Sequence, residues 1–207
     1  MTEERPHARR LLHVGCGPKR LTDLPQWFHD GWAETRLDVD RAARPDIIAE
    51  MPELSAVESG GYDAIWSAHN LEHLFPHDAA ATAREFHRVL RDDGFLIAST
   101  PDLRLALLAG AKNGLDATVY ASPSGPISAR DMLFGHQPSI RSGKTFMAHR
   151  NGFDLKSLNT LLSGAGFARV YGETRPVAQL FFLASKSSIG VDAAREKLAD
   201  IIGERRA

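Results

Sequence analysis

Cysteine is almost absent from this chain: Cys16 stands alone, so no internal disulfide can form. Long apolar runs are missing too, and no stretch approaches the ~18 residues that a membrane span needs. The segment Met1–Arg10 lacks the apolar core of a signal peptide, so a cytoplasmic location with no membrane partner is expected. Neither sign of charge is in excess. Lys and Arg total 25 against 26 Asp and Glu, a formal net charge of −1. Such a balance gives no general attraction to polyanions, and no nucleic acid partner is expected. The basic residues near the two ends, Arg5, Arg9 and Arg10, then Arg205 and Arg206, read as solvated tails. No repeat or low-complexity tract is visible, and 207 residues suit one domain.

What is present begins with LLHVGCGP, Leu11–Pro18. A short apolar run ends in two glycines one residue apart, which allow a ligand close to the backbone because glycine lacks Cβ and tolerates positive φ. Asp38 follows Gly17 by 21 positions, at the end of the next apolar run, with Asp40 just beyond it. An acidic side chain there can accept hydrogen bonds from ribose hydroxyls. Two ligands compete for such a half-site, a dinucleotide and S-adenosylmethionine (SAM). The dinucleotide pattern G-x-G-x-x-G needs a third glycine and a helix start for the pyrophosphate. Arg20 stands at the third position and Pro25 leaves room for only a short helix, which disfavours a dinucleotide. SAM carries no phosphate and needs neither feature. Cys16 reads as a small buried filler.

Along the chain, strand and helix patterns alternate. Strands are expected at Leu11–Gly15, Thr35–Val39, Asp46–Ala49, Tyr62–Ser67 and Phe95–Ser99. Between the last two, a helix capped by Asp78 carries Ala79, Ala83, Phe86 and Leu90 on one face and stops at Gly94. A second unit holds a helix capped by Asp154, strands at Phe167–Tyr171 and Leu180–Ser185, and a last amphipathic helix with Val191, Ala194, Leu198, Ile201 and Ile202 on one face. That helix packs on the sheet or on a second subunit, as in a homodimer. Interleaving of this kind predicts an α/β fold with a largely parallel sheet covered on both faces. Residues 101–150 read as an ordered lid: a helix at Leu103–Ala109, then a stretch rich in Gly and Pro, Pro123 included, that still carries aromatic and apolar residues.

These pieces resemble the class I SAM-dependent methyltransferases, through VGCGP (Val14–Pro18), LDVD (Leu37–Asp40), IIAEM (Ile47–Met51), YDAIWSAHNLEHL (Tyr62–Leu74) and REFHRVLRDDGFLIASTPD (Arg84–Asp102). The run from Thr100 to Gly152 is similar to a bacterial branch of that superfamily. The resemblance implies a Rossmann-like, doubly wound, seven-stranded and mostly parallel sheet in a three-layer sandwich with a lid insertion. It also implies SAM as cofactor and a small-molecule acceptor. Gly15, Cys16 and Gly17 would pass under the methionine part of SAM. Asp38 would take the ribose hydroxyls, with Asp40 as the alternative. Glu50 and Met51 would read adenine, and Ala68 and His69 would line the sulfonium end. One departure stands out: His13 occupies a position often acidic in the family, which weakens the contact to the ligand's amino group.

His69-Asn70-Leu71-Glu72-His73 spells H-x-x-E-H, a zinc-protease motif. It begins at a strand end and not within a helix, so no metal is expected, and Glu72 and His73 are read as tethers for the loop. Methyl transfer mostly requires alignment of donor and acceptor. A hydroxyl acceptor also gains from a base, for which His136 and His149 in the lid and His69 at the strand end are the candidates. From Ala121 to Arg150 the lid holds Arg130, Arg141, Lys144 and Arg150 against the single carboxylate Asp131, which suggests an anionic acceptor. The rival readings are an NAD(P)-dependent oxidoreductase, and a degenerate fold of this type that binds SAM or a protein partner without catalysis.

Overall fold

The computed structural model describes residues 8–122, 125–175 and 177–203. Arg5, Arg205 and Arg206, and Pro123 in the insertion, lie outside the described residues. Seven strands form the main sheet: β1 (Arg9–Val14), β2 (Trp32–Asp38), β3 (Ile47–Ile48), β4 (Tyr62–Ala68), β5 (Leu90–Pro101), β8 (Arg169–Arg175) and β9 (Gln179–Ser185). Strands β6 (Thr118–Ser122) and β7 (Gly125–Ser128) pair separately as an antiparallel hairpin. The helices are α1 (Pro76–Val89), α2 (Leu103–Asn113), α3 (Ala129–Phe134), α4 (Gln137–Arg141), α5 (Leu155–Gly164) and α6 (Val191–Ile202).

The sheet order is β3-β2-β1-β4-β5-β9-β8. Neighbours from β3 to β5 pair in parallel, whereas β9 is antiparallel to both β5 and β8. Chain order therefore reverses between β1 and β4, and the crevice beyond the C-terminal ends of those two strands is where ligands bind in open α/β sheets.

Strict alternation buries both faces. On β1, Leu11 joins a core layer with Phe28, Trp32, Trp66, Phe95 and the α6 residues Ala194, Leu198 and Ile201. Its neighbour Leu12 joins the opposite layer with Phe86 of α1 and Leu158 and Leu162 of α5. A strand with two buried faces reads as a continuous apolar run, which is why these segments are recognisable in sequence. Of the α6 face that offered two alternatives, Ala194, Leu198 and Ile201 lie on this chain's own sheet, whereas Val191 is exposed. Trp66 is likewise core.

Several boundaries differ from expectation for local reasons. Helix α1 starts at Pro76, whose fixed φ and absent N–H suit a first helical position, so Asp78 sits inside the first turn instead of capping it. Nor does Gly94 end α1. The helix stops at Val89, β5 starts at Leu90, and Gly94 lies in a bulge between the Tyr62–Leu90 and Ala64–Phe95 pairs. Strand β8 begins two residues late, because Phe167 is buried in the core beside Gly166 at φ +105°. Arg9 and Arg10 are not tails: both belong to β1, with Arg9 over the Trp32 ring at 4.4 Å and Arg10 over Tyr62 at 4.6 Å.

The described residues between β5 and α5 fold into regular elements. Asp102 caps α2 by accepting from Leu105 N at 3.2 Å. The hairpin, α3, α4 and a 3-10 turn at Thr145–Met147 follow. Ala106, Met132 and Ala178 form a small core of their own here, joined by Tyr120 and Ile127. The insertion leaves and rejoins the body at one point, where Asp102 bridges Phe153 and Leu103 N donates to Phe153 O at 2.9 Å.

Candidate functional site

The turn after β1 needs both glycines, for different reasons. Gly15 has φ +62° and Gly17 φ +51°. A Cβ on Gly15 would lie 2.0 Å from Asn70 Oδ1, so the space a side chain would fill holds the Asn70 carboxamide. Asn70 Nδ2 donates to Val14 O at 2.9 Å and to Ala68 O at 3.1 Å, joining the tips of β1 and β4. At Gly17 no heavy atom lies within 4 Å of the corresponding position. The open side of the turn is therefore at Gly17. Cys16 is buried, and burial pushes its thiol up to about 11, consistent with an inert filler.

Asp38 is built into this turn. Its Oδ2 accepts from Gly17 N at 2.7 Å and its Oδ1 from Asp40 N at 2.8 Å. A carboxylate offers about four lone-pair sites, so each oxygen keeps capacity for a further donor. Asp40 is a cap: its Oδ1 accepts from Ala42 N at 2.9 Å, while Lys144 of the insertion comes within 3.9 Å of Oδ2. Glu50 is exposed and Met51 is partly buried against the core. Val39 and Ile48, beside Asp38, are apolar and about half exposed, at 49% and 51%. The sequence signal for them was only that of strand ends.

Two further residues brace the turn and escaped the sequence reading. Arg36 is 2% exposed. Its guanidinium donates to Gly17 O at 2.6 Å, Lys19 O at 2.9 Å, Arg44 O at 2.7 Å and Ala43 O at 3.1 Å. It clamps the glycine turn to the loop after β2. Glu34, also on β2, meets His13 Nδ1 at 2.7 Å and accepts from Leu21 N at 2.9 Å. A carboxylate from the neighbouring strand thus stands against position 13.

Burial holds His13 below its ordinary 6.5, with Glu34 opposing the shift. The unfolded chain then takes up a proton more readily than the folded one. The stability this residue contributes is complete above about pH 6.5 and is lost as pH falls through the folded value. Urea midpoints measured from about pH 7 down to pH 5.5 are expected to fall, and less steeply in His13→Asn. An identical slope in the variant would refute the assignment.

Ala68, the last residue of β4, is half-buried, and His69 just beyond it adopts φ +57°, a strained conformation for a residue with a side chain. His69 Nδ1 stands 3.4 Å from Glu72 Oε1. Burial raises the Glu72 carboxyl, but His69, with His73 and His149 further off, outweighs it and keeps Glu72 below the usual carboxylate range. Glu72 is 2% exposed, and neither of its carboxylate oxygens has a hydrogen-bond partner. The expected tether exists: Glu72 O accepts from Arg150 N at 2.8 Å, and His73 Nδ1 meets Ala148 O at 3.2 Å. His149 is brought in by the same segment, its ring 5.0 Å from that of His73.

Of the three candidate bases, His69 and His149 therefore converge on Glu72. His136 hydrogen-bonds Ser139 Oγ at 2.8 Å, within the insertion. The four cations of the insertion spread out. Arg130 is paired with Asp116 at 2.6 Å, Lys144 lies near Asp40, Arg150 stacks over Phe75 at 5.0 Å and Arg141 is exposed. A separate open groove of about 460 Å³ lies between α5 and β8, lined by Lys156, Asn159 and Tyr171 among others. It sits at the sheet edge, away from the β1–β4 crevice.

This arrangement, a glycine turn braced by an acid on the next strand at the switch point of a 3-2-1-4-5 sheet with a reversed neighbour, is that of a nucleoside-binding α/β protein. A methyltransferase-domain family profile matches residues 2–171. The chain belongs to that family, within the class I SAM-dependent methyltransferase superfamily. Among solved structures it is similar to a SAM-dependent methyltransferase from Archaeoglobus fulgidus (12% identity, 87% of this chain, 88% of that chain, TM-score 0.58). It is similar also to one from Mesorhizobium loti (19%, 87% and 93%, 0.52). A third is the Burkholderia thailandensis 1,6-didemethyltoxoflavin-N1-methyltransferase with bound 1,6-didemethyltoxoflavin and S-adenosylhomocysteine (19%, 86% and 71%, 0.52). At these identities the likeness is one of fold. No curated protein matches in sequence. Among the described residues, no helix is long and apolar enough to cross a membrane.

Proposed function

We propose that this chain transfers a methyl group from SAM to a small-molecule acceptor bound beneath residues 101–150, which act as a lid within one domain. The observation that carries the reading is the Gly17–Asp38 joint: a 2.7 Å bond fixes a carboxylate at the tip of β2 beside the open side of the turn. In this reading Gly15, Cys16 and Gly17 pass under the methionine moiety and Asp38 accepts from the ribose hydroxyls. Asp40, already a cap, holds the loop. Val39 and Ile48 offer apolar walls to adenine, with Glu50 and Met51 at its amino edge, and Ala68 and His69 face the sulfonium. An acceptor lone pair forms the new bond to the methyl carbon as the C–S bond breaks, its electron pair going to sulfur. His69 takes the proton of a hydroxyl acceptor. The missing third glycine argues against NAD(P).

The test is thermal unfolding with SAM, S-adenosylhomocysteine or NADH. At ~100 times its Kd a ligand adds ~2.7 kcal/mol, so both adenosyl compounds are expected to raise Tm and NADH is not. Asp38→Ala is expected to weaken S-adenosylhomocysteine binding by ~10- to 100-fold, the equivalent of one or two hydrogen bonds to a charged group. No stabilisation by either adenosyl compound would end the proposal.

An anionic acceptor is supported by the excess of cations in the insertion; with Arg130 paired to Asp116 and Lys144 beside Asp40, exposed Arg141 is the residue to test. Arg141→Ala is expected to raise KM for such an acceptor several-fold with S-adenosylhomocysteine binding intact. An unchanged KM would point to a neutral acceptor.

A further inference from the structure

We propose that Glu72, His73 and His149 bind a divalent first-row transition-metal ion, of the kind zinc or cobalt represents, and that its open positions receive an oxygen of the methyl acceptor. The metal site stands on its own geometry; the role toward the acceptor rests on the methyl-transfer reading above.

The donor atoms are already gathered. One nitrogen from each ring and one Glu72 oxygen lie within 4.8 Å of one another. Zinc with bonds of about 2.0–2.1 Å places tetrahedral ligand atoms about 3.3 Å apart, so side-chain rotation has a short distance to close. The rings are set for coordination. His73 Nδ1 lies 3.2 Å from Ala148 O and His149 Nδ1 lies 2.9 Å from Met132 O. A carbonyl only accepts, so each ring donates from Nδ1 and a neutral ring presents Nε2 as a lone pair. That is how metal-binding histidines are oriented elsewhere.

The second observation is the carboxylate. Both Glu72 oxygens are buried without a hydrogen-bond partner, and His69 Nδ1, 3.4 Å from Oε1, compensates the charge only when that ring is protonated. With their Nδ1 hydrogens committed to carbonyls, neutral His73 and His149 have none left for it. A cation between the three side chains satisfies the carboxylate and both lone pairs together. Two imidazoles and one carboxylate suit zinc and its neighbours and leave coordination positions free, whereas magnesium and calcium prefer oxygen ligands. Next to this cluster, His69 has a side chain 38% exposed and its Nδ1 sits 3.4 Å from Glu72 Oε1.

Glu72, His73 and His149 would hold the ion, which would supply Lewis-acid activation of an acceptor hydroxyl; His69 would take that proton, the oxygen lone pair would form the O–CH₃ bond, and the C–S pair would leave with sulfur as the neutral thioether. The sequence motif supplied two of the three ligands of this site. His69, Glu72 and His73 are local, but His149 arrives on the return segment of the insertion.

The experiment uses the full chain, stripped with a chelator and titrated with Co²⁺ alone by visible absorption, then with Zn²⁺ and Mg²⁺ by calorimetry. S-adenosylhomocysteine binding is measured on the same sample. One equivalent of Co²⁺ is expected, with d–d bands, Zn²⁺ displacing it and Mg²⁺ not. His149→Ala and Glu72→Gln are expected to weaken the affinity by about 100-fold or more. His73→Asn is a milder third variant, and His77→Ala should bind as the parent does. Absent saturation, a preference for Mg²⁺, or parental affinity in folded His149→Ala would overturn the site. Metal binding without any response to S-adenosylhomocysteine would keep the site and remove its role in transfer; the converse result would remove the site alone.

Discussion

Gly15→Ala is expected to melt ~8–16 °C below the parent and to lose measurable S-adenosylhomocysteine binding. Two costs combine. A side chain at φ +62° is strained by ~1–2 kcal/mol. The added carbon would also lie 2.0 Å from Asn70 Oδ1, so the carboxamide must move and release its bonds to Val14 O, Ala68 O and Ser67 Oγ. At ~1 kcal/mol per neutral bond, the total is ~4 kcal/mol. In a chain of this size each kcal/mol shifts Tm by ~2–4 °C. Gly17→Ala is the matched control. Its Cβ meets open space, so it bears the strain alone and is expected to lose ~2–8 °C, yet it places a methyl where the donor would sit. Differential scanning calorimetry and ligand titration on the two variants separate packing from binding. Equal melting temperatures for both would refute the role given to Asn70.

Arg36→Met is expected to cost ~3–5 kcal/mol. The methionine fills much of the volume, but four carbonyls lose a charged donor: those of Gly17, Lys19, Ala43 and Arg44. Hydrogen bonds to charged groups are worth ~1.5–3 kcal/mol, and buried acceptors left unpaired add their desolvation. The bonds share one guanidinium, so the sum is far from additive. Replacing a buried ion by an apolar group is sometimes neutral. Here it is not expected to be, because the partners are fixed main-chain atoms that cannot be removed with it. Arg36→Lys is expected to recover less than half, since an ammonium cannot span two loops as the planar fork does. Urea unfolding gives the comparison. A loss under ~1 kcal/mol in Arg36→Met would show that water replaces the guanidinium without penalty.

The parallel half of the sheet was legible because its strands are buried on two faces and carry their breakers at the ends: Leu11–Val14, Ile65–Trp66 and Phe95–Ala98 are apolar runs whatever surrounds them. The glycine turn and Asp38 were legible for the same local reason. Arg36, Glu34 and Asn70 were not, because what they hold are carbonyls and side chains that only folding brings near. A lone arginine in a strand gives no hint that it is 2% exposed. The insertion was hidden by its short elements. Helices of 6 and 5 residues, with Gly135 closing the first, Pro138 in the first turn of the second and Gly143 just beyond it, offer too few turns for a period to emerge. His149 was singled out in sequence, but its meeting with Glu72 and His73 depends on where that segment comes back.

The bridge between Asp102 and Phe153 carries a consequence for how such a protein can change. Because the two stems of the excursion touch, everything between them is a cassette plugged into a fixed socket, with no strand of the sheet running through it. A lineage could lengthen, shorten or exchange most of that cassette while the parallel half of the sheet stayed as it is, provided that the two stems still meet and the loop after β4 keeps its bonds to Arg150 N and Ala148 O.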